Sequence, residues 1–237
     1  MRHAILGPGG VGGLIAASLS KSGAAVTLVV RGEAIGRYPD TLQLESPFGK
    51  FTVRVDRTTT VPAVDVLWIA VKATQLDSAL GSLPNGNSAR AIIPLLNGID
   101  HVAMLRSRYG TARIVPATIS VESERTAPGH ILHRSPFARL SVSSIGRTLM
   151  QGALEDLQRL GFTCQFIEDE QTLLWASWSS WHRWHLQRRP HVRRRAKSQR
   201  SAALQHSQAR WLSLRLKAIW SGCQRFSAQI ACSRPDL

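Results

Sequence analysis

The chain has 237 residues, with 30 Lys and Arg against 15 Asp and Glu, a formal charge of +15. That length holds one large domain or two modest ones, and no apolar run nears the roughly 20 residues that span a bilayer. Met1-Arg2-His3 lacks a secretory pattern, and Cys164, Cys223 and Cys232 form neither a disulfide framework nor a metal-spaced set, so a cytoplasmic protein with no membrane partner is expected.

In chain order, His3 to Leu6 is a short apolar strand. Gly7-Pro8-Gly9-Gly10-Val11-Gly12-Gly13 follows, then a helix of small and apolar residues from Leu14 to Leu19, stopped by Gly23. Ala25 to Val30 is a second buried strand. Strand, glycine loop, helix and strand in this order give a G-x-G-x-x-G match its dinucleotide-binding context. Gly7 is expected to make the tight turn, Gly9 to admit a pyrophosphate, and Gly12 to let helix and strand pack closely. The helix N-terminus then offers N–H groups to phosphate. At the end of the second strand, a ribose 2′-hydroxyl wants an acid and a 2′-phosphate wants a cation. Arg31-Gly32 stands there, which favours NADP(H).

Leu42 to Ser46 and Phe51 to Val55 bracket Pro47-Phe48-Gly49-Lys50 and read as a hairpin. Asp65 to Val71 is a near-continuous apolar run, as a central parallel strand requires. It delivers Lys72 at its carboxyl end, before a short helix from Ala73 to Leu80. Ala91 to Leu96 is another buried strand, delivering Asn97-Gly98 ahead of a helix around His101 to Arg106. Ligands of open α/β sheets bind at the carboxyl ends of strands, which places Lys72 and Asn97 beside a nicotinamide and its substrate. The fold class is therefore α/β, a Rossmann-type doubly wound sheet.

Gly7-Pro8-Gly9-Gly10-Val11-Gly12, Arg31-Gly32, Val71-Lys72-Ala73 with Gln75, and Leu96-Asn97-Gly98 together resemble the ketopantoate reductase family. Ala117 to Glu122 followed by Pro128-Gly129-His130-Ile131 is similar to that family's strand pair closing the nucleotide domain, and Gly146 to Leu160 with Phe162-Thr163-Cys164 to its last helix and strand. The resemblance covers about residues 1 to 175. It implies an NADPH-dependent 2-dehydropantoate 2-reductase of pantothenate and coenzyme A synthesis, acting on a small 2-keto acid. It also implies a helical C-terminal domain through which members often dimerise. Carried over by position, Gly7, Gly9, Gly10, Val11, Gly12, Arg31, Lys72 and Asn97 would hold the cofactor. Asn97 would also act catalytically, near the reacting carbonyl. The family's general acid is a lysine two residues after a Leu-Trp pair. Here the pair is Leu174-Trp175, and Ser177 stands in the lysine's place.

From Ala176 onward the composition changes. Residues 1–175 carry 17 Lys and Arg against 14 Asp and Glu, whereas the last 62 carry 13 against 1. Read from the third base of each codon, Trp175-Ala176 must give glycine, and Trp181-His182 and Trp184-His185 must each give alanine. Ala176-Ser177 gives lysine when the codons are GCA and AGC or AGT. The resulting apolar helix carries the absent lysine in register. The expectation is a shift of reading frame at or just before codon 176, with the helical domain lost or replaced by a disordered basic tail. The domains are then 1–167 for NADP binding, 168–175 for the start of a linking helix, and 176–237 for a tail unrelated to the family. Two rival readings stand beside it. One is a cofactor-binding pseudoenzyme whose Trp175, Trp178, Trp181 and Trp184, interleaved with Arg and His, form a nucleic-acid-binding arm. The absence of any linker before the change weighs against that arm. The other is a reductase of a different 2-keto acid. No paired His or Cys spacing supports a metal.

Overall fold

The computed structural model describes residues 1–83, 89–98 and 100–174. The expected tail, 176–237, and Ser177 with it, lie outside the described residues. Twelve strands and four α-helices are described: β1 (Arg2–Leu6), α1 (Gly10–Lys21), β2 (Ala25–Val29), β3 (Thr41–Ser46), β4 (Gly49–Arg54), β5 (Asp56–Thr58), β6 (Val66–Ile69), α2 (Leu76–Leu80), β7 (Ala91–Pro94), α3 (Asp100–Tyr109), β8 (Ala117–Ser120), β9 (Ser123–Ala127), β10 (His130–His133), β11 (Arg139–Ser143), α4 (Arg147–Arg159) and β12 (Thr163–Ile167).

The parallel sheet has the order β5-β2-β1-β6-β7. The chain starts at β1, winds outward through β2, then crosses back to β6 and β7 on the other side. Both faces of the sheet are buried from β1 to β7, which is why β1, β6 and β7 read as continuous apolar runs rather than alternating ones, whereas β5 at the edge is polar and exposed. Along β6 the side chains still alternate. Val66 and Trp68 join the core beneath α1, whereas Leu67 and Ile69 join the core beneath α2 and α3.

α1 is enclosed nearly all round, with every residue from Gly12 to Leu19 buried. It packs on β1 and β2 on one side, and on β3, β4, β9, β10 and α4 on the other. Small residues make this double packing possible. A β-carbon on Gly12 would lie 2.4 Å from the Gly7 carbonyl oxygen, and one on Gly13 would lie 2.3 Å from Ile131 Cδ1.

The expected hairpin is present, with Ser46 opposite Gly49. It belongs to a second sheet of order β4-β3-β10-β9, in which β3 pairs in parallel with β10. Here one expectation is corrected. Residues 117–122 and 128–131 do not form a strand pair. β8 pairs antiparallel with β11 in a third sheet, and β10 pairs with β9 and β3 in the second. The reason is β9 itself, whose polar Ser-Glu-Arg-Thr-Ala sequence carries no strand periodicity and forms the hairpin with β10 instead.

After β12, Asp169 caps a last helical turn over residues 170–174. Its carboxylate accepts from the Gln171 and Thr172 amides at 3.1 Å each. Arg106 on α3 forms a two-pronged ion pair with Glu170, at 2.7 and 2.6 Å. Leu173 is buried beside it. No described helix is long and apolar enough to cross a membrane.

Candidate active site

Gly7 ends β1 with a positive φ of 91°, a conformation that side chains beyond glycine disfavour. A β-carbon there would also meet Val71 Cγ1 at 2.5 Å. The Gly9 amide donates to the Gly7 carbonyl at 2.7 Å, and the Gly13 amide makes the first helical bond, to Gly9, at 2.8 Å. α1 has no side-chain cap, so its first-turn N–H groups are left for a ligand or water. A β-carbon on Gly9 would meet nothing within 4 Å. The loop is closed on three sides and open at Gly9.

That opening faces a cleft of about 700 Å³, within the range of small-molecule sites. The carboxyl ends of β1, β2 and β6 form its floor, bringing Gly7, Arg31 and Lys72 to one cavity. Arg37 and Arg125 add two further cations to the wall, against the one carboxylate of Glu33. The cleft is therefore suited to an anionic ligand.

The residues expected from the sequence divide into three groups. Gly7, Gly9, Arg31 and Lys72 line the cleft. Gly10, Val11 and Gly12 form the first turn of α1 and are not among the residues lining the cleft. Asn97 follows β7 and is exposed, outside the lining of this cleft.

Two wall residues were not expected. Tyr38 is buried, and its hydroxyl donates to the Pro8 carbonyl at 3.0 Å, tying the segment after β2 to the glycine loop. Burial pushes its pKa up, against the opposing pull of the adjacent Arg125 guanidinium. Arg57 Nη1 in turn donates to the Tyr38 carbonyl. Tyr38 lies only seven residues beyond Arg31 and carried no motif. Arg125 sits on β9, which only long-range pairing brings to the cleft.

The family model described as Ketopantoate reductase PanE/ApbA matches residues 3–146. The chain belongs to the ketopantoate reductase family. The 2-dehydropantoate 2-reductase of Caulobacter vibrioides is 34% identical over 139 residues, which cover 55% of this chain and 45% of that one. A PanE/ApbA family ketopantoate reductase structure from Ralstonia eutropha JMP134 superposes with a TM-score of 0.64 at 25% identity, covering 74% of this chain and 59% of that one. D-mandelate dehydrogenase, solved with NADH and anilino(oxo)acetate, shares the fold at a TM-score of 0.62 and 18% identity. The chain spans about half the length of the curated ketopantoate reductases it matches.

Proposed function

We propose that the front part of this chain is the nucleotide-binding half of an NADPH-dependent 2-dehydropantoate 2-reductase, which converts 2-dehydropantoate to pantoate. The observation that carries this reading is Arg31 at the rim of the glycine-loop cleft, where an NAD-specific site would place an acid. The residues present fit the cofactor. The open space at Gly9 admits a diphosphate, the uncapped first turn of α1 supplies N–H donors, and Arg31 supplies a planar guanidinium for the 2′-phosphate. Lys72, at the end of β6, contributes positive charge on the opposite wall. Bound NADPH supplies the hydride for the C2 carbonyl of a 2-keto acid.

Asn97, as the second strand-end group, is assigned to hold the keto acid near its carbonyl oxygen. Reduction leaves an alkoxide that needs a proton, and a cationic lysine is the family's source. Ser177 stands at that place in this chain, so a shift of frame at or just before codon 176 removes the general acid together with the helical domain. Loss of a general acid alone costs about 10²–10⁴-fold in rate. The full chain is therefore expected to bind NADPH weakly at best and to oxidise it with 2-dehydropantoate at least about 100-fold more slowly than the frame-restored protein. Absorbance at 340 nm reads this out, and equal rates for the two would refute it. Resequencing the gene and its transcript tests the shift itself; an intact frame would sink it.

The excess of 13 cations over 1 acid in the last 62 residues favours a second reading, a cofactor-binding pseudoenzyme with a nucleic-acid-binding tail. Salt-dependent binding to nucleic acid by the full chain would support that reading. Activity on another 2-keto acid in place of 2-dehydropantoate would change the substrate and leave the reaction class intact.

A further inference from the structure

β9 is the edge strand of the second sheet, yet it is fastened to the start of α1. Ser123 Oγ donates to the Gly10 carbonyl at 3.0 Å. The approach is so close that a β-carbon on Gly10 would lie 2.1 Å from the Ser123 carbonyl oxygen. Side chains two apart on a strand share a face, so Arg125 lies on the same side of β9 as Ser123. The cross-strand register agrees. Arg125 stands opposite Ile131, whose side chain packs on Gly13 of α1, while Glu124, opposite Leu132 and on the other face, forms an ion pair with Arg134. A register shift between His130 and Ile131 sets this alternation. Arg125 thus extends from the second sheet into the wall of the dinucleotide cleft, next to the Tyr38 hydroxyl that holds Pro8. Among the described residues it has no carboxylate partner.

We propose that Arg125 binds the diphosphate of the cofactor from the β9 wall of the cleft, beside Pro8 and Gly9. This rests on the dinucleotide reading of the cleft. It divides the labour between two arginines: Arg31 recognises the 2′-phosphate and Arg125 the diphosphate, so the first selects NADP(H) and the second adds affinity for any adenine dinucleotide.

The test is calorimetric binding of three probes to the full chain at fixed ionic strength. The probes are ADP, which has a diphosphate and no 2′-phosphate; 2′-AMP, which has the reverse; and NADPH, which has both. Arg125→Gln should weaken ADP and NADPH about tenfold or more, as expected for a lost charge-assisted hydrogen bond, and leave 2′-AMP within about twofold. Arg125→Lys should recover part of the ADP binding, because it keeps the charge and loses the two-pronged geometry. Arg31→Gln should show the opposite pattern, and Arg134→Gln, outside the cleft, should change none of the three. Unchanged ADP binding in Arg125→Gln overturns the proposal, as does a uniform loss for all three probes with a lowered melting midpoint. If the unmutated chain binds ADP but not 2′-AMP, the NADP reading fails and Arg125 is still judged on ADP. If it binds neither ADP nor NADPH, both readings fail.

Discussion

Neighbouring glycines in the loop do different work, and substitution separates them. A β-carbon on Gly12 has no room between the Gly7 carbonyl and Ala70 Cβ, which lies 3.0 Å away. Gly12→Ala should cost about 1–3 kcal/mol through overpacking, lowering the melting midpoint by roughly 2–4 °C per kcal/mol. Gly9→Ala meets open space at a β-region backbone, with φ −81°. It should change stability by no more than about 1 kcal/mol while weakening NADPH binding, because the methyl group fills the diphosphate's space. Calorimetry and thermal melts on both variants check the contrast. His3 gives a pH dependence. It is 1% exposed, and its Nδ1 accepts from Trp68 Nε1 at 3.3 Å, a bond only the neutral imidazole makes in this arrangement. Burial, reinforced by the N-terminal ammonium, pushes its pKa from 6.5 down to about 4. Between those values the unfolded chain holds a proton that the folded chain refuses. Stability is therefore full above about pH 6.5 and falls on acidification toward pH 4, by at most about 1.4 kcal/mol per unit from this residue. Urea midpoints at pH 7.5 and 5 should show the loss, and His3→Gln should reduce it.

The elements that could be read from the sequence are those whose signal is local. The glycine loop, α1 and strands β1, β2, β6 and β7 sit within short windows of apolar residues and glycine punctuation. The hairpin of β3 and β4 was readable from Pro47-Phe48-Gly49-Lys50 between two strand-like runs, although β4 already starts at Gly49 and the turn is two residues long. β5 and β9 were not readable, since Asp56-Arg57-Thr58 and Ser123 to Ala127 are polar edge strands that carry no periodicity. Their places are set by partners far away in the chain, and Arg125 was hidden for the same reason. At this scale the turn over residues 170–174 offers a direct test. Asp169→Ala removes the acceptor for two amides and should cost about 1 kcal/mol. Hydrogen exchange should show faster exchange at Gln171 and Thr172, while α3, which is anchored independently, keeps its protection.

For the whole molecule, the chain is two compositions joined at one point. The described part has near-balanced charge, two cores on either side of a parallel sheet, and a cleft at the strand ends. Its family relatives run to about twice the length matched here. On the proposed shift of frame, restoring the frame from codon 176 should return a lysine two residues after Trp175 and raise the rate of NADPH oxidation by about 100-fold or more. Affinity for ADP should be unaffected, because its contacts lie in the front part. An unchanged rate in the restored protein would refute the proposed loss of the general acid.

The glycine run also has an evolutionary consequence. Gly10 is held against Ser123, Gly12 against Gly7 and Ala70, and Gly13 against Ile131. Every amino-acid-changing base substitution in a glycine codon introduces a β-carbon. At these three positions there is accordingly no mild neighbour in mutational space, since each step meets a different wall of the protein. Changes tolerated here must come with an adjustment of the facing segment, the loop after β1 or the end of β6 for Gly12, β9 for Gly10 and β10 for Gly13, so drift in this segment is bound to drift in strands more than 100 residues away, such as β9 at Ser123.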